Sequence, residues 1–208
     1  MPRISHNLPA VMLYYWDIIG TFLFCVSGAL AGRQKGMDFW GTFVMALVTG
    51  TGGGTVRSIL IGDVPPPVFI DPAYVVIAAI ATPCATVFPA LWDKFRREIS
   101  VVDAFGLGVF VCIGTHVAVD HGMSWWASAG MGVVTATFGG VIRDILRTEV
   151  PLVFRKEIYA TAALVGAMLL LGLEHLGLEK KFSIPITTAF IAGVRLLAIR
   201  YALNQSSR

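Results

Sequence analysis

Apolar residues run along this chain in blocks too long for the core of a water-soluble domain, and polar positions gather in short clusters between them. A helix needs about 20 mainly apolar residues to cross the hydrocarbon of a bilayer. Seven segments approach or reach that length: 16–32, 39–60, 73–92, 101–119, 125–146, 158–173 and 182–203. Each predicts a spanning helix, so the expected fold is an all-α integral membrane protein, one transmembrane domain over 1–208. Tyr14, Tyr15 and Trp16 lead into the first span as an interfacial aromatic cluster. Pro65, Pro66, Pro67 and Pro72 mark the turn between the second and third spans.

The pattern recurs at a fixed offset. Asp17 and Asp103, Gly20 and Gly106, Phe24 and Phe110, Gly28 and Gly114 all stand 86 positions apart. The same offset pairs Gly36, Met37 and Trp40 with Gly122, Met123 and Trp126, and Pro65 with Pro151. The chain therefore reads as two three-helix repeats, 16–92 and 101–173, with a seventh helix at 182–203 outside them. An odd number of spans in each repeat means that the second enters the membrane upside down.

One stretch in each repeat breaks the apolar pattern at the same place. Residues 48–67 read VTGTGGGTVRSILIGDVPPP, and residues 134–151 read VTATFGGVIRDILRTEVP. Gly52, Gly53 and Gly54, and Gly139 and Gly140, predict helix breaks, and backbone freed in hydrocarbon must find polar partners or line a cavity. Arg57 and Arg143 follow, each a charge costing roughly 2.5–3.5 kcal/mol at a helix centre on insertion scales. Freed carbonyls, with the hydroxyls of Thr49, Thr51, Thr135 and Thr137, can replace part of a cation's hydration shell. Freed amides would instead meet a carboxylate, as in amino-acid carriers. The plainer alternative for the glycines is close helix packing. For the arginines it is structural pairing with Asp144, Asp17 or Asp103, and the acids that open the first spans can equally act as helix caps.

Composition agrees with the pattern and narrows the chemistry. The chain is 56% apolar and 14% charged, against about 25% charged in soluble domains. Its net charge of +3 contains no basic run that would suggest nucleic acid. Lysine and arginine concentrate on one side: Arg33, Lys35, Lys94, Arg96, Arg97, Arg147, Arg155 and Lys156, with Arg200 and Arg208 beyond the last span. The other side has Arg3, Lys180 and Lys181, which predicts a cytoplasmic C-terminus and an outside N-terminus. The first residues lack a signal-peptide layout and read as a short tail. Arg57, Arg143 and Arg195 remain inside spans. Cys25, Cys84 and Cys112 read as small buried hydrophobes. Cys112, His116 and Asp120 share a helix face at a spacing a metal could use, but His116 reads more simply as a hydrogen-bonded core histidine. No catalytic constellation, cofactor loop or metal site is expected, and no enzyme.

The inverted pair of units, the extra seventh helix, and GGGTVRS and FGGVIRD each placed before a proline turn resemble the trimeric intracellular cation channels, in particular the prokaryotic members. The resemblance covers about 16–203. It implies a homotrimer in the inner (plasma) membrane with one pore per subunit. It also implies conduction of monovalent cations such as potassium between glycine-kinked second and fifth helices. The pore or gate would then draw on Thr49, Thr51, Gly52, Gly53, Gly54, Arg57 and Ser58, and on Thr135, Thr137, Gly139, Gly140, Arg143 and Asp144. Asp17 and Asp103 would be charge partners. The family's Arg-Asp pair is kept at Arg143 and Asp144 but reads Arg57-Ser58 in the first unit. The alternative is a secondary carrier for a small solute such as an amino acid, a domain of this kind being linked to small amino acids in bacteria.

Overall fold

The computed structural model describes residues 8–87, 98–155 and 157–205. Eight α-helices occupy them: α1 Leu8–Gln34, α2 Phe39–Ile61, α3 Ala73–Val87, α4 Glu98–Asp120, α5 Trp125–Leu146, α6 Leu152–Arg155, α7 Glu157–His175 and α8 Lys180–Gln205. A single 3-10 turn, Pro67–Phe69, sits between α2 and α3, and the described residues contain no strand. The protein is thus an all-helical, multi-pass membrane protein. Helices α1, α2, α4, α5, α7 and α8 are each long and apolar enough to cross a bilayer, while α3 is apolar but shorter as described. The far end of the expected third span, at Trp92, lies outside the described residues. So do Arg3, Lys94, Arg96, Arg97, Lys156 and Arg208, all counted in the orientation argument.

Local signals set the helix ends. Asp38 caps α2 by accepting the Gly41 N–H at 2.7 Å, meeting one of the donors a helix start leaves free. Helix α2 stops at Gly62, whose left-handed φ of 78° lets its N–H turn back onto the last carbonyls. Thr148, with φ 59°, does the same just beyond α5.

Helix α4 is the centre of the packing. Of its most apolar stretch 78% is buried, against 33–56% in the other five long spans. It lies against α1, α5, α7 and α8, and α2 packs against α1 and α5. Phe24 of α1 and Phe110 of α4 meet with ring centroids 5.1 Å apart. Each ring also fills the space over the other repeat's glycine, Phe110 over Gly20 and Phe24 over Gly106.

One expectation needs correcting here. Helices α2 and α5 run unbroken through Gly52–Gly54 and Gly139–Gly140, with helical backbone at every position. No half-helix ends, and so no freed carbonyls or amides, appear at the glycines. The physical reason is that an intact hydrogen-bond ladder satisfies backbone that lipid cannot. The missing side chains are used for close approach of the two helices.

Candidate functional site

The glycines are where α2 and α5 touch. A Cβ on Gly53 would overlap the carbonyl oxygen of Thr135, and a Cβ on Gly139 would overlap that of Thr49. These contacts are the same contact written twice, since both members shift by 86. Gly52 faces Ile142 Cδ1, where a Cβ would come to 2.8 Å. Gly54 and Gly140 do something different. They leave room beside a guanidinium, with Arg57 Nη2 at 3.8 Å and Arg143 Nη2 at 3.5 Å from the added Cβ positions.

The four threonines flanking the glycines each donate to their own helix one turn back. Thr49 bonds Met45 O at 2.6 Å, Thr51 bonds Leu47 O at 2.7 Å, Thr135 bonds Met131 O at 2.7 Å and Thr137 bonds Val133 O at 2.8 Å. Their hydroxyl protons are committed, and only oxygen lone pairs remain to meet a cation. The hydroxyls of Thr49 and Thr135 lie against Gly28 of α1 and Gly114 of α4, while their carbonyls form the α2–α5 contact. Thr51 faces a chamber described below.

In the second repeat the arginine is held by two acids, while its Nη2 reaches no hydrogen-bond partner. Arg143 is fully buried and ion-pairs through Nη1 with Asp103 Oδ1 at 2.6 Å and through Nε with Asp144 Oδ1 at 2.9 Å. Nη1 also donates to Ser27 Oγ of α1 at 2.7 Å. Tyr159 donates to the other oxygen of Asp103 at 2.7 Å, and Leu152 N–H donates to the other oxygen of Asp144 at 3.0 Å. Arg195 of α8 lies over the Tyr159 ring, 4.6 Å from its centroid, and donates to Ile158 O at 3.2 Å. Two carboxylates around one guanidinium leave the cluster anionic before Arg195 is counted. Beside it a polar cavity of about 210 Å³ is lined by Gln34, Ser100, Asp144, Arg147, Glu149 and Arg155, among others, with Arg143 in its wall. Glu149 gathers Lys35, Arg147 and Arg155 at 3.1, 3.1 and 3.7 Å, tying the α1–α2 link to the region after α5.

In the first repeat the same skeleton is left incomplete. Asp17 accepts a hydrogen bond from Tyr74, as Asp103 does from Tyr159. Arg57 is 6% exposed, yet its Nε and Nη1 reach no hydrogen-bond partner. Asp17 is near enough to attract it electrostatically. Ser58, in the place of Asp144, is fully buried with an unpartnered hydroxyl. A chamber of about 20 Å³, room for about one water, is walled by Asp17, Thr21, Thr51, Thr55, Arg57 and Tyr74 among others. Pro67 and Val68 close it near the start of α1, whereas Gln34 places the other cavity at the far end of that helix. The two arginine sites therefore lie toward opposite ends of α1, with the glycine contact between them. A wider groove of about 610 Å³ between α1 and α8 is almost wholly apolar and contains none of these residues.

The structure thus brings together Asp103, Arg143 and Asp144, and brings Asp17, Thr51 and Arg57 around one chamber. Thr49, Thr135, Gly52, Gly53 and Gly139 serve helix contacts, and Thr137 is buried against its own helix. Tyr74, Tyr159 and Ser27 were missed from sequence. The two tyrosines sit 85 apart, one short of the repeat offset, so the register that found the other pairs passes over them. His116 binds Glu174, not Asp120, which is exposed. Among the described residues no three His, Cys, Asp or Glu side chains gather as a metal site.

Comparison with known proteins places this geometry in context. A family model described as glycine transporter matches residues 14–90 and 100–175, one copy per repeat. The UPF0126 inner membrane protein YadS of Escherichia coli (strain K12) is 38% identical over 203 residues, covering 93% of this chain and 95% of that protein. The crystal structure of the trimeric intracellular cation channel orthologue from Rhodobacter sphaeroides superposes with a TM-score of 0.87 at 33% identity, over 92% of this chain and 99% of that one. A prokaryotic TRIC channel solved in 0.5 M KCl superposes with a TM-score of 0.86 at 29% identity, over 93% of this chain and 98% of that one.

Proposed function

Because the chain belongs to the family described as glycine transporter, with the fold of the prokaryotic trimeric intracellular cation channels, we propose that it conducts monovalent cations, potassium among them, across the inner membrane. The observation that carries this reading is likeness at 33% identity, over nearly the whole of both chains, to a solved cation channel. We read the seven spans as two inverted three-helix units plus α8, forming one domain. The path within each subunit runs from the Arg57 chamber, past the α2–α5 contact, to the cavity beside Arg143. The Asp103–Asp144 pair supplies the negative charge that a cation needs there. With Arg33, Lys35, Arg147 and Arg155 near one end, that end is cytoplasmic. The assembly is a homotrimer, which native mass measurement in mild detergent tests directly.

In this reading the packed glycine contact is the closed state. Gly53 and Gly139 touch opposing carbonyls, so a small separation of α2 from α5 would expose the oxygens of Thr49 and Thr135 to the path. Carbonyl oxygens suit a partly dehydrated cation. A second reading, a carrier for a small amino acid, is favoured by the description of the family model and by the unmet guanidinium of Arg57 opposite Asp17. That pair of charges suits the carboxylate and ammonium of one zwitterion. Purified protein in planar bilayers separates the two. Unitary current steps in symmetric potassium chloride are the expected result. Their absence, with saturable uptake of glycine into proteoliposomes, would replace the channel with the carrier.

A further inference from the structure

His116 is a buried histidine that the proposed pathway does not use. Its ring is 2% exposed, and both nitrogens are engaged. Nδ1 lies 2.8 Å from the Cys112 carbonyl one turn back on α4, and Nε2 lies 2.7 Å from Glu174 Oε1 near the end of α7. The same oxygen accepts the Ser183 hydroxyl of α8 at 2.7 Å. Three helices therefore meet on one carboxylate oxygen. Behind them Cys112, Leu170 and Ile184 form an apolar cluster, covered by Met12, Leu13 and Trp16 of α1.

Counting protons fixes the state of this junction. A backbone carbonyl can only accept, so Nδ1 carries a hydrogen. Nε2 and Oε1 are both acceptors unless one holds a proton, and their 2.7 Å separation is a hydrogen-bond distance. One dissociable proton must therefore lie between them, on the imidazole as an ion pair or on the carboxyl as a neutral pair. Without it two lone pairs would face each other in an apolar setting. The other ionisable groups at hand are few. Lys180 of α8 is close enough to attract Glu174, and the Cys112 thiol lies 3.8 Å from the Ile184 carbonyl. Met12, Leu13 and Trp16 of α1 pack against the cluster. Glu174 is 22% exposed at its side chain, which gives the proton a way out.

We infer that His116 and Glu174 form a proton-binding site, whose single bound proton clamps α7 and α8 to the central helix α4. The site belongs to the second repeat alone, because Leu30 holds the position 86 before His116. The inference does not depend on what crosses the membrane. While the proton is bound the junction is intact, and its contribution to stability is lost as pH rises past the point of release. Glu174→Gln replaces the shared proton by an amide N–H that donates to Nε2, so the variant keeps the contact without binding a proton.

The test uses the full-length protein, labelled with nitrogen-15 at histidine and embedded in lipid. In a pH series, His116 should show a hydrogen on Nδ1 throughout and a second, shared at Nε2, that is lost as the pH rises. In Glu174→Gln that transition should disappear. The melting temperature should fall with rising pH in the wild type over the same interval and stay level there in the variant. A His116 spectrum with no such transition in the wild type would overturn the site, as would a transition that persists unchanged in Glu174→Gln. If the variant fails to assemble, the wild-type nitrogen spectrum decides alone.

Discussion

Arg57 and Arg143 stand at equivalent places in two copies of one unit, and their surroundings differ in almost every contact. Arg143 has two carboxylates and a serine on it, with a tyrosine and a fourth helix behind. Arg57 has one acid at a distance and two nitrogens without partners, against one on Arg143. Part of the difference can be traced to single residues. Asp144 holds Arg143 with one oxygen and the Leu152 N–H with the other. The counterpart of Leu152 is Pro66, which has no N–H to give. An acid at position 58 would thus have half the work of Asp144, and Ser58 stands there instead. Helix α8 adds Arg195 to the second unit only, while Gly108, seated on Thr188 of α8, corresponds to the exposed Phe22 in the first. The two sites share a skeleton, and α8 packs on only one of them.

The sharpest way to break this comparison is to remove the matched acids. Asp103→Asn takes a direct ion-pair partner from a fully buried arginine, a loss that typically costs about 3–5 kcal/mol. Asp17→Asn removes the charge but keeps an oxygen that can accept from Tyr74, and should cost about 1 kcal/mol. Thermal unfolding of both variants in the same detergent measures the gap. Equal losses would mean that Arg57 depends on Asp17 as strongly as Arg143 depends on Asp103.

The glycine contact should behave in the opposite way, with no difference between halves. Gly53→Ala and Gly139→Ala each push a methyl into a backbone carbonyl of the facing helix, and overpacking of this kind costs about 1–3 kcal/mol. Gly54→Ala, whose methyl meets nothing nearer than Arg57 Nη2 at 3.8 Å, is the control and should be close to neutral. A harmless Gly53→Ala beside a damaging Gly139→Ala would show that the two faces of the contact are not equivalent.

These positions also show where sequence was informative. A fixed offset could be subtracted along the chain, so the matched acids and arginines were legible. The helices themselves followed from block length. The use of the glycines was not legible, because a missing side chain permits both a broken helix and a close crossing, and only the facing carbonyls decide. Ser27 and Tyr159 were hidden for another reason. Arg143 reaches into the other repeat for Ser27, whose counterpart is Ile113, so no comparison of equivalent positions points to it. Glu174 was invisible as the partner of His116 because they lie 58 positions apart on different helices.

Function offers a third cut at the comparison. If cations pass the Arg57 chamber, its unbalanced charge raises their barrier by at most about 2 kcal/mol, taking about 8 Å separation and an effective dielectric near 20. Arg57→Ala should then raise unitary potassium conductance or open probability while leaving assembly intact. Arg143→Ala should reduce the yield of assembled protein, since it strands Asp103 and Asp144 in the core. Single-channel recording and size-exclusion chromatography of both variants read the two outcomes. Unchanged currents in a well-folded Arg57→Ala would remove that residue from the path.

The smallest expected effect lies at the helix ends. Helices α2 and α5 close on residues 86 apart, Gly62 and Thr148, both in the left-handed region at φ 78° and 59°. The closing bonds match: Gly62 and Asp63 N–H reach Ile59 and Ser58 carbonyls, and Thr148 and Glu149 N–H reach those of Ile145 and Asp144. Glycine adopts this conformation freely, whereas an L residue with a branched Cβ is strained there by about 1–2 kcal/mol. Thr148 offsets little of that, since its hydroxyl bonds an exposed carbonyl, Arg147 O, at 2.6 Å. Thr148→Gly should therefore stabilise the protein. The gain is trimmed by the extra freedom glycine gives the unfolded chain, about 0.4–1 kcal/mol, which leaves roughly 1 kcal/mol or less. Gly62→Thr should lose about 1–2 kcal/mol by the same reasoning. Melting temperatures that move in opposite directions would make the two ends energetically the same device with different residues. A destabilised Thr148→Gly would mean that Thr148 is held by the Glu149 cluster beside it, and that this helix end also differs between the halves.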